Sequence, residues 1–190
     1  MRRTLLRFEN LQQVVGGEGM SVILLTDMER KHALSVVCDE PMTQQLQMRA
    51  SNPKACRNML PETLLGLLPS NYEMLICGLF EGQYQVVLMD DVGHSVRLRM
   101  SDAVLLSVIS DIPLYIENNL MERQCFPFDE KAQSVAIPIN TMDLPRLKTA
   151  LEQAVENENY ELASMLRDEI KRRHPSRILS QKRRNRSQKT

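Results

Sequence analysis

The amino-acid sequence predicts an α+β fold: a mixed, largely antiparallel sheet with short helices, followed by a C-terminal helical hairpin. Three observations point there. Between Met20 and Ile116, short apolar or alternating runs are separated by tight-turn residues, which is how strands read. Two apolar-periodic segments in the same region carry Pro near their starts, where a first helical turn accepts it. After Leu144 the apolar spacing changes to that of two amphipathic helices. An apolar fraction of 43% over 190 residues is enough for a sizeable core, and the absence of Trp makes that core aliphatic and Met-rich.

The elements follow in order. Residues 1–19 are mixed and end in the turn Gly16-Gly17-Glu18-Gly19. Met20 to Thr26 reads as a buried strand, and Ala33 to Val37 as its hairpin partner. Pro41 to Arg49 is helical, with Met42, Leu46 and Arg49 at helical steps; Asn52-Pro53 breaks it. Leu60 to Leu68 is a second short helix, bracketed by Pro61 and Pro69. A meander follows: Glu73–Phe80, Gln83–Met89 and His94–Met100, turning at Glu81-Gly82 and at Asp90-Asp91-Val92-Gly93. Ser101 is expected to cap the next helix, Ala103 to Ile109, with Asp102 in its first turn. Leu114 to Ile116 closes the sheet. From Glu122 to Asp143 the pattern dissolves into a linker.

Helix one of the hairpin runs from Leu144 to Glu156 with Asp143 as its cap, and helix two from Tyr160 to Arg173, where Pro175 stops it. Leu147, Leu151 and Val155 form one stripe; Ala163, Leu166 and Ile170 form the other. Two helices of about 14 residues are marginal alone in water. They bury one narrow seam, and a second hairpin or a groove would complete a four-helix bundle. Leu147, Leu151, Val155, Leu166 and Ile170 are the expected partner-binding residues. Folding of the hairpin back onto the first domain is the alternative. The resulting division is an α+β domain over 1–121, a linker over 122–143, the hairpin over 144–174 and a disordered basic tail over 175–190.

The zero net charge hides an asymmetry. Residues 1–140 hold 12 basic and 17 acidic side chains, residues 141–170 hold 3 and 7, and residues 171–190 hold 9 and none. One end is therefore cationic on a mildly anionic body. Such a tail binds nucleic acid nonspecifically through counterion release, and Lys182, Arg183, Arg184 and Arg186 are the expected contacts. No aromatics interleave them, so no base stacking is implied. The cysteines, Cys38, Cys56, Cys77 and Cys125, are too widely spaced for a zinc site, and reduced thiols in a cytoplasm are expected. The basic opening at Met1-Arg2-Arg3 resembles a signal peptide, but Arg7, Glu9 and Asn10 interrupt its apolar region too early. No run approaches membrane-spanning length, so no membrane partner is expected. Neither a Ser-His-Asp or Cys-His spacing nor a phosphate-binding Gly loop is present.

Two resemblances carry functional content. Leu147-Lys148-x-Ala150-Leu151, Asn159-Tyr160-Glu161-x-Ala163 and Leu166-Arg167-Asp168-Glu169-Ile170 resemble a UVR motif. Members of that family end the helicase of bacterial excision repair and occur in its partner nuclease and in adaptors of bacterial AAA+ proteases. The family fold is a helical hairpin that pairs with a second hairpin, so the resemblance implies an interaction module. Arg99-Met100-Ser101-Asp102-Ala103-Val104-x-Leu106, followed by Asp111-Ile112-Pro113-Leu114-Tyr115-Ile116, is similar to the bifunctional nuclease domain family over roughly residues 20–120. The chain departs from that family where a Thr-His-Asp-Leu segment is usual: here Asn58-Met59-Leu60-Pro61-Glu62-Thr63-Leu64 stands, without the His-Asp pair.

The second resemblance implies a bacterial, metal-dependent nuclease acting on DNA or RNA. Such chemistry needs carboxylates converging on Mg or Mn. Asp102 and Glu62 are the catalytic candidates, and Arg97 and Arg99, on one strand face, the phosphate contacts; no metal-ligand set is assigned. Asp102 equally suits a first-turn dipole partner or a charge partner for Arg99, and Asp90-Asp91 suits a hairpin turn. The alternative is a non-catalytic adaptor or nucleic-acid-binding protein that recruits a repair nuclease or a AAA+ protease. A homo-oligomeric scaffold is the third reading.

Overall fold

A computed structural model describes residues 2–13, 20–67, 71–131 and 137–173. The glycine-rich turn at 16–19 and the basic tail lie outside the described residues, and with the tail Lys182, Arg183, Arg184 and Arg186.

The described residues form one eight-stranded sheet. β1 (Arg3–Gln13), β2 (Met20–Asp27) and β3 (His32–Asp39) make an antiparallel meander. β4 (Tyr72–Phe80), β5 (Gln83–Asp90) and β6 (Ser95–Leu98) make a second one. β7 (Leu114–Glu117) joins the two, antiparallel to β1 and parallel to β4. β8 (Phe126–Pro127) adds to the free side of β3. The order is β6-β5-β4-β7-β1-β2-β3-β8. The sheet is thus mixed but largely antiparallel, and the α+β class is as expected.

Three helices fill one face. α1 (Glu40–Ser51) starts at Asp39, whose Oδ1 accepts from the Met42 amide at 3.0 Å, with Pro41 in the first turn. α3 (Met100–Ile109) buries Ala103 and Val104 beside Ile23, Leu25 and Ile76 of the sheet. α4 (Asn118–Gln124) adds Leu120 and Met121 to the same core. Because α3 touches β1, β3, β5 and β7, the sheet curls around it and the far strands approach one another at one end.

Three elements differ from the sequence expectation. β1 is an eleven-residue strand in a stretch that reads as mixed. Its register shifts between Phe8 and Asn10, so Leu6 and Phe8 share the core face with Leu11 only because a bulge resets the phase. The expected linker, 122–143, holds the last turn of α4, β8, and a 3₁₀ turn at Ile139–Thr141. Ser101 is not a cap: α3 begins at Met100, with Arg99 at the N-cap position and no side-chain cap bond.

The hairpin agrees with the sequence reading: α5 (Leu144–Glu156) and, up to the last described residue, α6 (Tyr160–Arg173). Asp143 Oδ1 accepts from the Arg146 amide at 2.9 Å, and Asn159 Oδ1 from the Leu162 amide at 3.2 Å. These side chains satisfy orphan donors of each first turn.

α2 (Leu60–Leu65) is tied to α1 by charge. Arg49, 4% exposed, donates from Nε and Nη2 to the two carboxylate oxygens of Glu62 at 2.7 and 2.9 Å. Burial alone raises the Glu62 pKa, but the Arg49 hydrogen bonds outweigh it and hold the carboxyl below its ordinary value. Removing one partner leaves a buried charge unpaired. Glu62→Ala is therefore expected to cost roughly 3 kcal/mol in urea unfolding. A carboxylate with a depressed folded pKa contributes stability above its unfolded value and loses it as pH falls through the folded one. The wild-type urea midpoint should decline below about pH 4.3 more steeply than that of Glu62→Gln.

Candidate functional site

The hairpin closes its own seam. Leu147 and Leu166 are fully buried, with Ala154 and Ala163 beside them, and Leu151 and Ile170 are half-buried against this cluster. Ile139 and Met142, from the segment before α5, complete it. Four of the five expected partner-binding side chains therefore face inward or sit at the seam's margin. Val155, 52% exposed, faces out. The outer apolar positions also include Tyr160 at 68%, Met165 at 57% and Leu162 at 36%. Sequence patterning does not single out Met165 or Tyr160, because both flank the stripe that it identifies.

One foot of the hairpin stands on the sheet. Arg173, nearly buried, donates from Nε to Glu169 at 2.7 Å, from Nη2 to the Asn140 carbonyl at 2.9 Å and from Nη1 to the Met142 carbonyl. The two-residue turn Glu81-Gly82 between β4 and β5 sits directly beneath. Both residues have left-handed φ, 49° and 83°, as such a tight hairpin demands. A Cβ on Gly82 would collide with the Met142 carbonyl oxygen and lie 2.9 Å from Arg173 Nη1. Both the φ angle and the close approach require glycine here.

Next to this contact lies a cavity of about 470 Å³, at the end where the curled sheet brings β3 toward β5 and β6. Its charged lining is Asp39 from the end of β3, Arg97 from β6, Arg99 from the start of α3, and Asp143 and Arg146 from the start of α5. The expected phosphate contacts Arg97 and Arg99 are thus brought together, with a third arginine from the hairpin. Arg99 donates to both oxygens of Asp102 at 2.7 and 2.9 Å, and that pairing raises its pKa. Arg97 is exposed and, among the described residues, has no ion pair.

The catalytic candidates are not brought together into a metal-binding group. Asp102 is held by Arg99 and Glu62 by Arg49, each by a two-pronged bond. Among the described residues no group of three or more His, Cys, Asp or Glu side chains could hold a metal ion. The donor set in this arrangement does not fit Mg or Mn, which need several free oxygens. Asp90 accepts from the Val92 and His94 amides at 3.1 and 2.8 Å, as a turn residue does. No described helix is long and apolar enough to cross a membrane.

Gly82→Ala is expected to loosen the hairpin foot by more than about 1 kcal/mol. Hydrogen exchange should quicken across residues 140–173 while the β2–β3 amides stay protected. Unchanged protection in the hairpin would refute this account of the foot.

No curated protein matches the chain. Residues 144–172 match the sequence profile of the UVR family, described as the UvrB/uvrC motif, so the chain carries at its hairpin a motif that points to protein or DNA interaction.

Proposed function

We propose that this protein is an adaptor: the hairpin docks on the helices of a partner while the body holds it in place. The observation that carries the reading is the arrangement within 144–172. The inner seam is closed by the chain's own side chains, yet Val155, Tyr160 and Met165 stay exposed on the outside. An outer apolar set on a two-helix unit is what a four-helix arrangement covers. The partner that fits is a second helical hairpin, as in a repair nuclease or an adaptor-dependent AAA+ protease. The Arg173 foot supports the same reading, since it fixes where the outer face points.

A nuclease of the bifunctional type is the second reading. It is favoured by the Arg99–Leu106 segment, part of which walls the Arg97–Arg99 cavity. Both proposed carboxylates would have to leave their arginines to bind Mg or Mn, which weighs against it.

Two experiments separate these. Affinity capture with the full chain, against capture with Val155→Glu and with Met165→Glu, tests the adaptor. A protein bearing a helical hairpin of this type should be retained by the wild type and lost at least about tenfold with either variant. Equal retention by the variants would remove the outer face as the docking surface. Incubation with labelled DNA and RNA in Mg²⁺, Mn²⁺ or EDTA, beside Asp102→Ala, tests the nuclease. The adaptor reading expects no cleavage by the folded protein. Chelator-sensitive cleavage abolished by Asp102→Ala would replace it.

A further inference from the structure

The cavity beside the hairpin foot has an architecture that the docking role does not use. Its three arginines come from separate elements: Arg97 from β6, Arg99 from the N-cap position of α3 and Arg146 from the first turn of α5. Arg99, largely exposed, donates to both oxygens of Asp102. Arg146 lies 3.7 Å from Asp143, a loose pairing. Arg97 has no ion pair among the described residues.

The two acids that share the lining are already engaged as helix caps. Asp39 accepts from the Met42 amide and Asp143 from the Arg146 amide. Each carboxylate keeps its charge, so the lining holds three arginines against two acids, and Arg97 is the arginine without an ion pair among the described residues. The first turn of α3 adds to this. The helix has ten residues and no side-chain cap, and Met100 and Ser101 line the cavity. The first-turn amides and the positive end of the helix dipole stand beside Arg97 and Arg99.

Tyr84, in the β5 wall, packs its side chain into the hydrophobic core.

We propose that this cavity is a binding site for a phosphate ester, completed by the hairpin through Arg146. Guanidinium groups match phosphate oxygens in planar pairs, and helix-start amides donate to the remaining oxygens. A volume of about 470 Å³ lies in the range of small-molecule sites and suits one nucleotide unit. The phosphate belongs either to a free nucleotide or to the backbone of a nucleic-acid strand. Because one arginine of the site rides on the hairpin, occupancy and hairpin position are coupled, and the coupling is reciprocal. The inference stands apart from the docking reading, since it concerns the inner foot of the hairpin and not its outer face.

The test is calorimetric titration of the full chain with pyrophosphate, ADP and a single-stranded oligonucleotide at low salt. The titrations use a chain in which Lys182, Arg183, Arg184 and Arg186 are replaced by Gln, to remove attraction by the tail. At least one probe should bind one to one. Arg97→Ala and, separately, Arg146→Ala should each weaken it by about tenfold or more. Lys148→Ala, an exposed change on the same helix outside the cavity, should leave it unchanged. Gly82→Ala should also weaken binding, because a Cβ there displaces the Met142 carbonyl and with it the start of the helix that carries Arg146. Binding of ADP points to a free nucleotide, and binding of the oligonucleotide alone to a strand; both support the site. Absence of binding by the folded protein, or affinity indifferent to Arg97→Ala and Arg146→Ala, overturns it.

Discussion

The guanidinium of Arg173 organises the far end of this molecule. Nearly buried, it reaches one carboxylate and two main-chain carbonyls, those of Asn140 and Met142. A buried charge satisfied on all sides holds its surroundings in one geometry, whereas one left partly unpaired would be strongly destabilising. Through those carbonyls it fixes the path into α5, and through Met142 it sets the hairpin on the Gly82 turn. The placement of Asp143 and Arg146 beside the β6–α3 junction follows from that seat. So does the direction in which Val155, Tyr160 and Met165 look. A hairpin free to swing would have neither a composite cleft nor a defined outer face.

The same logic of pairing explains why the carboxylates of the body do not gather. Glu62 fastens a short helix with no fully buried residue to α1, in place of burial that the helix lacks. Asp102 steadies Arg99 at an uncapped helix start. Asp39, Asp90 and Asp143 serve main-chain amides at caps and turns. Each of these acids has a structural use, and Arg97 is the charged group that faces the cavity without an ion pair among the described residues.

How much of this was legible in the sequence depends on whether the cause is local. α5 and the start of α6 agree with the sequence reading, because their period and caps lie within the segment. The Asp102–Arg99 pairing is legible for the same reason, at a separation of three residues. β1 is hidden because the bulge at Glu9 breaks the alternation by which strands are recognised. β8 is hidden because two residues cannot display a period. The roles of Glu62, Gly82 and Arg173 come from partners 13 to roughly 90 positions away, and no spacing rule encodes those. Arg146 is invisible as a cavity residue for that reason too, although the helix that carries it is among the clearest signals in the chain.

The parallel pairing of β4 with β7 has a bearing on the order in which the chain takes shape. β1 lies inside the sheet between β2 and β7, and its Arg3 is matched with Glu117. During synthesis the first strand can pair with β2 early, but its other edge stays open until more than a hundred further residues have left the ribosome. An open edge of that kind invites wrong pairing, and contacts so distant in sequence form slowly. The hairpin, by contrast, closes through neighbours only. The hairpin can therefore organise quickly, while β1 waits for its second neighbour.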